Sequence, residues 1–346
     1  MGVDDRAGEP ALDDPIAYFL QDMTFHGRSE RTRNAYERVL REFETYVHTQ
    51  RGVSLAEASQ RECMAWVHSL RERHAPSTVA SYASYAHRFY AYMTQVGAFD
   101  SNPMSLVTEE MDESIDTDPT RREITIAEMR SFVESIAHPL ERALVVTLLK
   151  TGMRVGELCN LDLRDVHLHD SELEAAYEIE HRGSIAGRPD SIYVPSAPTR
   201  GETYNEERRT ASNKRKRDTV VPVDAELKRT LKAWLAVRPD TNSPAEPLFV
   251  STSEWGKRTT PSMVRAAVTA RAEARGWYHE GGDAAENVTP HYFRHFFTTN
   301  LRDSTGDRGI VKYLRGDVAS DIIDTYTHNW GDRVREVYES SIYRLE

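Results

Sequence analysis

A chain of 346 residues with 39% hydrophobic side chains is long enough for two separate cores. Two cysteines exclude a disulfide framework and a paired-thiol zinc cage, and no apolar run reaches membrane-spanning length. The formal net charge of −11 argues at first sight against a partner held by bulk positive charge, such as nucleic acid.

Residues 1–12 read as a disordered lead. Ser29 then starts a helix on which Tyr36, Val39, Leu40, Phe43, Tyr46 and Val47 form a stripe at helical spacing. A second helix is predicted over about Arg61–Arg73, and a third after Pro76 with Val79, Tyr82, Tyr85, Phe89 and Met93 inward. Together they predict a small helical bundle over 13–107. Its tyrosines read as core, with a base-stacking platform as the alternative.

Asn102-Pro103 closes the bundle, and the acidic stretch 108–123 reads as a solvated linker. Thr125 with Glu128 forms a capping pair that opens a second domain, 124–346. There, Ala143–Leu149 predicts a buried helix that Gly152 stops. Alternating stretches at Asp162–Leu168, Glu174–Ile179 and Ile192–Val194, with Val220–Val223, predict a small antiparallel sheet. A Pro-, Gly- and charge-rich insertion occupies 182–212. The expected fold is mainly α with a small antiparallel β-sheet.

Three strings carry the chemistry: TGMRVGEL around Arg154, TPHYFRHFFTTNL around Arg294, and YLRGDVASDIIDTYTH, which holds Tyr326. In the second, Thr289 and Pro290 start a helix, the threonine as a hydroxyl cap. At 100° per residue Phe293, Phe296, Phe297 and Leu301 share one face, while His291, Arg294, His295 and Thr298 share the other. His291 and Arg294 are thus neighbours able to touch one phosphate. Arg154 sits just past the break at Gly152, and Glu157 either orients its guanidinium or simply pairs with it.

Together, TG-x-R-x-x-EL, H-x-x-RH and a late Tyr-Thr-His resemble the tyrosine recombinase family, the phage integrases and Xer-type resolvases, across nearly the whole chain. The resemblance implies an N-terminal helical core-binding domain and a C-terminal α+β catalytic domain. It implies that Arg154 and Arg294 clamp a phosphate, that His291 is an acid/base and that Tyr326 is the nucleophile. The family also uses a hairpin lysine. Of the seven lysines in the chain, Lys214 stands eight residues before Pro222, the family's spacing, with Lys216 as the fallback. Arg215, Lys216 and Arg217 are expected to bind the DNA backbone.

One position departs from the pattern. Nine residues before Tyr326 the family has a histidine or tryptophan, but this chain has Asp317, following Arg315 and Gly316. An ionised carboxylate accepts hydrogen bonds and cannot donate one to a phosphate oxygen, so Arg315 is the candidate replacement donor. After Tyr326, the segment Asp332–Leu345 predicts a tail helix, docked either on a neighbouring subunit or on its own domain.

The expected activity is site-specific recombination of double-stranded DNA through a 3′-phosphotyrosine, serving integration, excision or dimer resolution, with no cofactor and no metal. The alternative is a DNA-binding relative silenced by Asp317 and acting as a regulator or architectural protein. A homo-tetramer in the synaptic complex and an accessory directionality protein are the implied partners, with no membrane. With no export signal read, the expected site is cytoplasmic. Basic residues cluster locally at Arg208, Arg209 and 214–217, so a basic groove can coexist with an acidic exterior. Acid excess with scarce lysine resembles proteins of salt-loving archaea.

Overall fold

The computed structural model describes residues 13–115, 120–196, 203–204, 207–210, 215, 217–241, 243–317 and 330–346. The lead 1–12, Lys214, Lys216 and Tyr326 lie outside the described residues. The chain divides into two compact units after Pro119.

The first unit is helical: α1 (Pro15–Phe25), α2 (Glu30–Tyr46), a π-helical turn (Val47–Arg51), α3 (Gln60–Arg71), α4 (Pro76–Gln95) and α5 (Met104–Glu110). The expected stripe is largely core, since Val39, Leu40, Phe43 and Val47 are fully buried. The tyrosines follow the core reading: Tyr82 and Tyr90 are buried, and Tyr36 stacks on Tyr85 at 4.1 Å.

Two helices of this unit escaped the sequence reading. The Asp14 side chain caps α1 ahead of Pro15, and the Asn102 side chain accepts from Met104 N at 3.0 Å to start α5. Instead of closing the bundle, Asn102-Pro103 therefore opens a helix that buries Met104 and Val107 in the same core. Arg71 further ties Glu113 of the acidic stretch back to α3 at 2.5 Å.

The second unit runs α6 (Ile126–Glu134), α7 (Pro139–Thr151), α8 (Val155–Cys159), a 3-10 turn (Leu163–Asp165), β1 (Val166–His167), α9 (Ser171–Tyr177), α10 (Gly183–Ala186), β2 (Ser191–Val194), β3 (Thr203–Tyr204), β4 (Glu207–Arg208), β5 (Thr219–Pro222), α11 (Ala225–Leu235), α12 (Pro261–Ala274), α13 (Pro290–Thr305), α14 (Arg308–Arg315) and α15 (Trp330–Ser341). The capping box at Thr125 and Glu128 opens it as read. An antiparallel sheet of order β1-β2-β5 pairs Val166 with Ile192 and Ile192 with Val221. The insertion contributes the two-residue hairpin β3-β4.

The strand expected at Glu174–Ile179 is wrong. Asp170 Oδ1 accepts from Glu172 N and Leu173 N at 3.1 and 3.2 Å, and this cap starts α9 in its place. The strand expected from Asp162 shrinks to Val166–His167, because the Asp165 side chain accepts from Asp162 N at 2.9 Å and closes a turn. Thr289 occupies the N-cap of α13 in extended conformation but makes no side-chain cap bond.

Helix α7 is buried on nearly every face, and its polar Thr147, Lys150 and Thr151 are buried with it. It ends at Gly152 with φ +60°, the left-handed region, and a Cβ there would overlap the Phe297 ring of α13. That close approach sets the spacing between the turn carrying Arg154 and the helix carrying Arg294. Gly306, the C-cap of α13, has φ +64° but open space around it. Gly306→Ala should therefore cost only the backbone penalty of about 1–2 kcal/mol. Gly152→Ala adds an overpacking penalty of about 1–3 kcal/mol. Urea unfolding of the two variants measures the difference, and equal losses would mean that the Phe297 contact yields freely.

Candidate active site

Four arginines converge where three helix ends meet. Arg154 is the N-cap of α8; its backbone N–H donates to Glu157 Oε2 at 2.9 Å and its Nη1 to Oε1 at 3.1 Å. Glu157 is 1% exposed, and Oε2 also accepts Arg215 Nη2 at 3.1 Å. Glu157 thus both orients Arg154 and pairs with a second guanidinium. Arg294, on α13, is 2% exposed; its Nη1 donates to Gly152 O at 2.6 Å and Arg315 O at 3.1 Å. Arg215 donates to Leu314 O from Nη1 and Nη2, each at 3.3 Å. The carbonyls of Gly152, Leu314 and Arg315 lie at the C-terminal ends of α7 and α14, where the helix dipole favours cations.

Helix α14 closes on Gly316 at φ +68°, and Asp317 N donates to Lys312 O at 3.0 Å, a Schellman-type end. A Cβ on Gly316 would overlap the Arg215 guanidinium, so only glycine lets the turn pass over it. This turn aims Asp317 at the arginines. Its Oδ1 accepts Arg154 Nη2 at 3.0 Å and Arg294 Nη2 at 2.9 Å. Oδ2 lies 3.0 Å from Arg315 Nε, an ion pair without hydrogen-bond alignment, since that buried Nε–H has no acceptor in line.

Crowded guanidiniums shift one another. Burial, then the charges of Arg154 and Arg315, pull Arg294 down to about 9 against the opposing pull of Asp317 and Glu157, which leaves it cationic at neutral pH. Burial lowers Arg315 as well, with Asp317 opposing. His291 is held at about 4, by desolvation first and then by the guanidiniums of Arg121, Arg294, Arg154 and Arg315. Its side chain is nonetheless exposed by area. The charge contribution is the one that persists when water reaches the ring.

The structure brings together Arg154, Glu157, His291, Arg294, Arg315 and Asp317, all of them singled out in the sequence. Arg215 is a correction. It was expected on the DNA-binding face, but it is fully buried, held by Glu157 and the Leu314 carbonyl. Arg209 of the same basic stretch also turns inward, onto Asp162 at 2.7 Å. Arg217 stays half-buried just ahead of β5. Arg121, which acts on His291, had been assigned to the linker; the Arg121-Arg122 pair inside an acidic stretch was the available signal.

The tail helix docks on its own unit. Tyr338 is fully buried and donates to Lys150 O at 2.8 Å, while the buried Lys150 ammonium donates to Tyr343 O at 2.6 Å and pairs with Asp224 and Glu226. The Tyr343 phenol donates to Leu149 O. Burial drives both phenols well above their ordinary range.

The chain and its fold are similar to known proteins. A profile of the Phage integrase family matches residues 123–332, and one for the Phage integrase N-terminal SAM-like domain matches 16–97. Tyrosine recombinase XerC of Alcanivorax borkumensis is 25% identical over 328 residues, 92% of this chain and 90% of that protein. Tyrosine recombinase XerC of Pelobacter propionicus is 23% identical over 341 residues, 96% of each chain. The fold resembles the Tn1549 transposon integrase in complex with a circular intermediate DNA, with TM-score 0.62, 19% identity, and 88% and 92% of the two chains covered. It also resembles a lambda integrase dimer bound to a COC′ core site, with TM-score 0.60, 14% identity, and 90% and 97% covered.

The His291 shift makes a pH prediction. Its pKa lies below the ordinary 6.5, so between about 4 and 6.5 the unfolded chain binds the extra proton. The resulting stability is complete above 6.5 and is lost as pH falls through about 4. The imidazole C2 proton should titrate near 4, and His291→Gln should lose less stability than the wild type on acidification through that window. A midpoint near 6.5 would remove the guanidiniums from the ring's surroundings.

Proposed function

The chain belongs to the phage integrase family and is a tyrosine-type site-specific recombinase; we propose that Arg154 and Arg294 clamp the scissile phosphate of double-stranded DNA and that Tyr326 attacks it. The observation that carries this reading is the shared anion: the two guanidiniums already converge on one carboxylate oxygen at 3.0 and 2.9 Å. Two planar forks meeting at one point suit the nonbridging oxygens of a phosphodiester and the charge that builds up in a pentavalent transition state.

The phenol Oη of Tyr326 forms a bond to phosphorus and the bond to the 5′ oxygen breaks, leaving a 3′-phosphotyrosine and a free 5′ hydroxyl. Attack by another strand's 5′ hydroxyl reverses the step, so the bond energy is kept and no nucleotide is consumed. A tyrosine of ordinary pKa is protonated at neutral pH and must lose its proton during attack. His291, neutral well above about 4, is the proposed acceptor of that proton. Lys214 is the proposed acid for the departing 5′ oxygen, on the family's spacing. Arg315 supplies a donor at the edge of the clamp, where Asp317 offers only acceptors.

Elimination supports Tyr326. The other late tyrosines, Tyr338 and Tyr343, are buried with their hydroxyls committed to backbone carbonyls. Synapsis is proposed to assemble four copies on paired sites, and the buried tail would have to leave its own unit to exchange between them.

A nicked suicide substrate should trap a covalent protein–DNA adduct without metal or nucleotide, and Tyr326→Phe should abolish the adduct while still binding. Arg294→Lys should slow adduct formation on the order of a hundredfold, as loss of one oriented donor set does, with a much smaller loss of DNA affinity. Tight binding of a cognate site by the wild type without any adduct would defeat the recombinase reading. An adduct that survives in Tyr326→Phe would defeat only the choice of nucleophile.

A further inference from the structure

In the DNA-free protein the clamp is not empty of negative charge. Among the described residues, Arg154, Arg215, Arg294 and Arg315 face two carboxylates, Glu157 and Asp317, so this set keeps two positive charges in excess. The two acids are not equivalent. Glu157 is buried beneath the arginines and is fixed by the backbone N–H of Arg154, whereas Asp317 keeps 28% of its side chain open to solvent and closes the cluster from outside. Glu157 is built in, and Asp317 is where an external anion would arrive.

From this geometry, and resting on the clamp reading above, we propose that the Asp317 carboxylate is an internal counter-anion that holds the two guanidiniums in place and is exchanged for the scissile phosphate when DNA binds.

Charge and hydrogen bonding both fit an exchange. A phosphodiester carries one negative charge, as an aspartate does, so the swap leaves the net charge of the cluster unchanged. The Asp317 oxygen that accepts from Arg154 and Arg294 does what one nonbridging oxygen would do, with the same two Nη2 donors at 3.0 and 2.9 Å. The buried Arg315 Nε–H, which has no aligned acceptor beside Asp317, gains a position for the second nonbridging oxygen. Without any anion, Arg294 would keep its bonds to two backbone carbonyls but lose the charge that offsets its like-charged neighbours Arg154 and Arg315. Asp317 is therefore a positioning residue: it preassembles the clamp, and it competes with the substrate for it.

The test uses the full chain in low-chloride buffer with inorganic phosphate as probe, read by thermal unfolding and titration. Asp317→Asn keeps the side-chain shape and removes the charge. It should unfold at lower temperature than the wild type, be restored saturably by phosphate, and bind phosphate about tenfold or more tightly than the wild type once the resident competitor is gone. Adding Arg154→Ala to Asp317→Asn should abolish the restoration, and Asp317→Glu should respond to phosphate as weakly as the wild type. Asp317→Ser serves in place of Asp317→Asn should the latter fail to fold. In the wild type the carboxyl carbon resonance of Asp317 should shift when a cognate duplex binds, since both guanidiniums leave it. Equal phosphate affinities in wild type and Asp317→Asn, a stability loss that phosphate does not restore, or an unmoved resonance would each overturn the exchange. None of these readouts needs strand cleavage. A trapped adduct with no phosphate effect would sink this inference and leave the recombinase standing, and the reverse result would do the opposite.

Discussion

Repulsion among four guanidiniums gathered at one point is the constraint around which the catalytic unit is arranged. Like charges at such range disfavour one another, most strongly at Arg294, which burial has already stripped of water. Three devices offset this. Glu157 sits beneath Arg154 and Arg215, Asp317 caps Arg154, Arg294 and Arg315, and the carbonyl ends of α7 and α14 take the remaining donors. The last two devices depend on glycines. Gly152 and Gly316 turn the chain in the left-handed region so that a helix end, rather than a side chain, meets the arginine.

This arrangement also reconciles an acidic protein with a nucleic-acid substrate. The chain carries 55 acidic and 44 basic residues, yet the acids near the clamp neutralise only part of it. Among the described residues the clamp keeps a local excess of positive charge and oriented donors, which an acidic chain can offer to DNA without a basic bulk potential. The inward turn of Arg209 and Arg215 sharpens the point. Residues that look like a backbone-binding patch in the sequence act as internal cations, one anchoring Asp162 and the other supporting the floor of the clamp. Binding that relies on fixed hydrogen bonds loses less to salt than binding that relies on counterion release.

What the sequence disclosed follows from which interactions are local. The stripe of α2, the box at Thr125 and Glu128, the stop at Gly152 and the phenylalanine face of α13 are set within a few residues, and each was readable. The meeting of Arg154 and Arg294 was readable too, through spacing against a known pattern. The caps at Asp170 and Asn102 were not. Asp170 turned an apparent strand into α9 by accepting two backbone N–H groups, and Asn102 turned an apparent exit into α5 by accepting one. The burial of Arg215 was beyond reach, since its partners Glu157 and Leu314 lie 58 and 99 positions away in sequence. Asp317 was flagged as a departure from the pattern, but its grip on three arginines is a tertiary fact.

The site and the tail are joined through the chain itself. Tyr326 follows Asp317 by nine positions and precedes Tyr338 by twelve, and both of those residues are anchored on the catalytic unit. At the far end the anchor is a buried ammonium, Lys150, which pairs with Asp224 and Glu226 and holds the Tyr343 carbonyl, while Glu226 also accepts from Leu345 N at 2.9 Å. Removing one member of such a buried set costs several kcal/mol, so that end is the firm one. At the near end the backbone of Asp317 is tied to Lys312 O, and its partly exposed carboxylate is the group that the proposed exchange trades for a phosphate without changing the charge. On the proposed exchange, arrival of the scissile phosphate frees the Asp317 side chain, nine positions ahead of the proposed nucleophile. The group that keeps the clamp assembled without DNA is then also the group whose displacement reports that DNA has arrived.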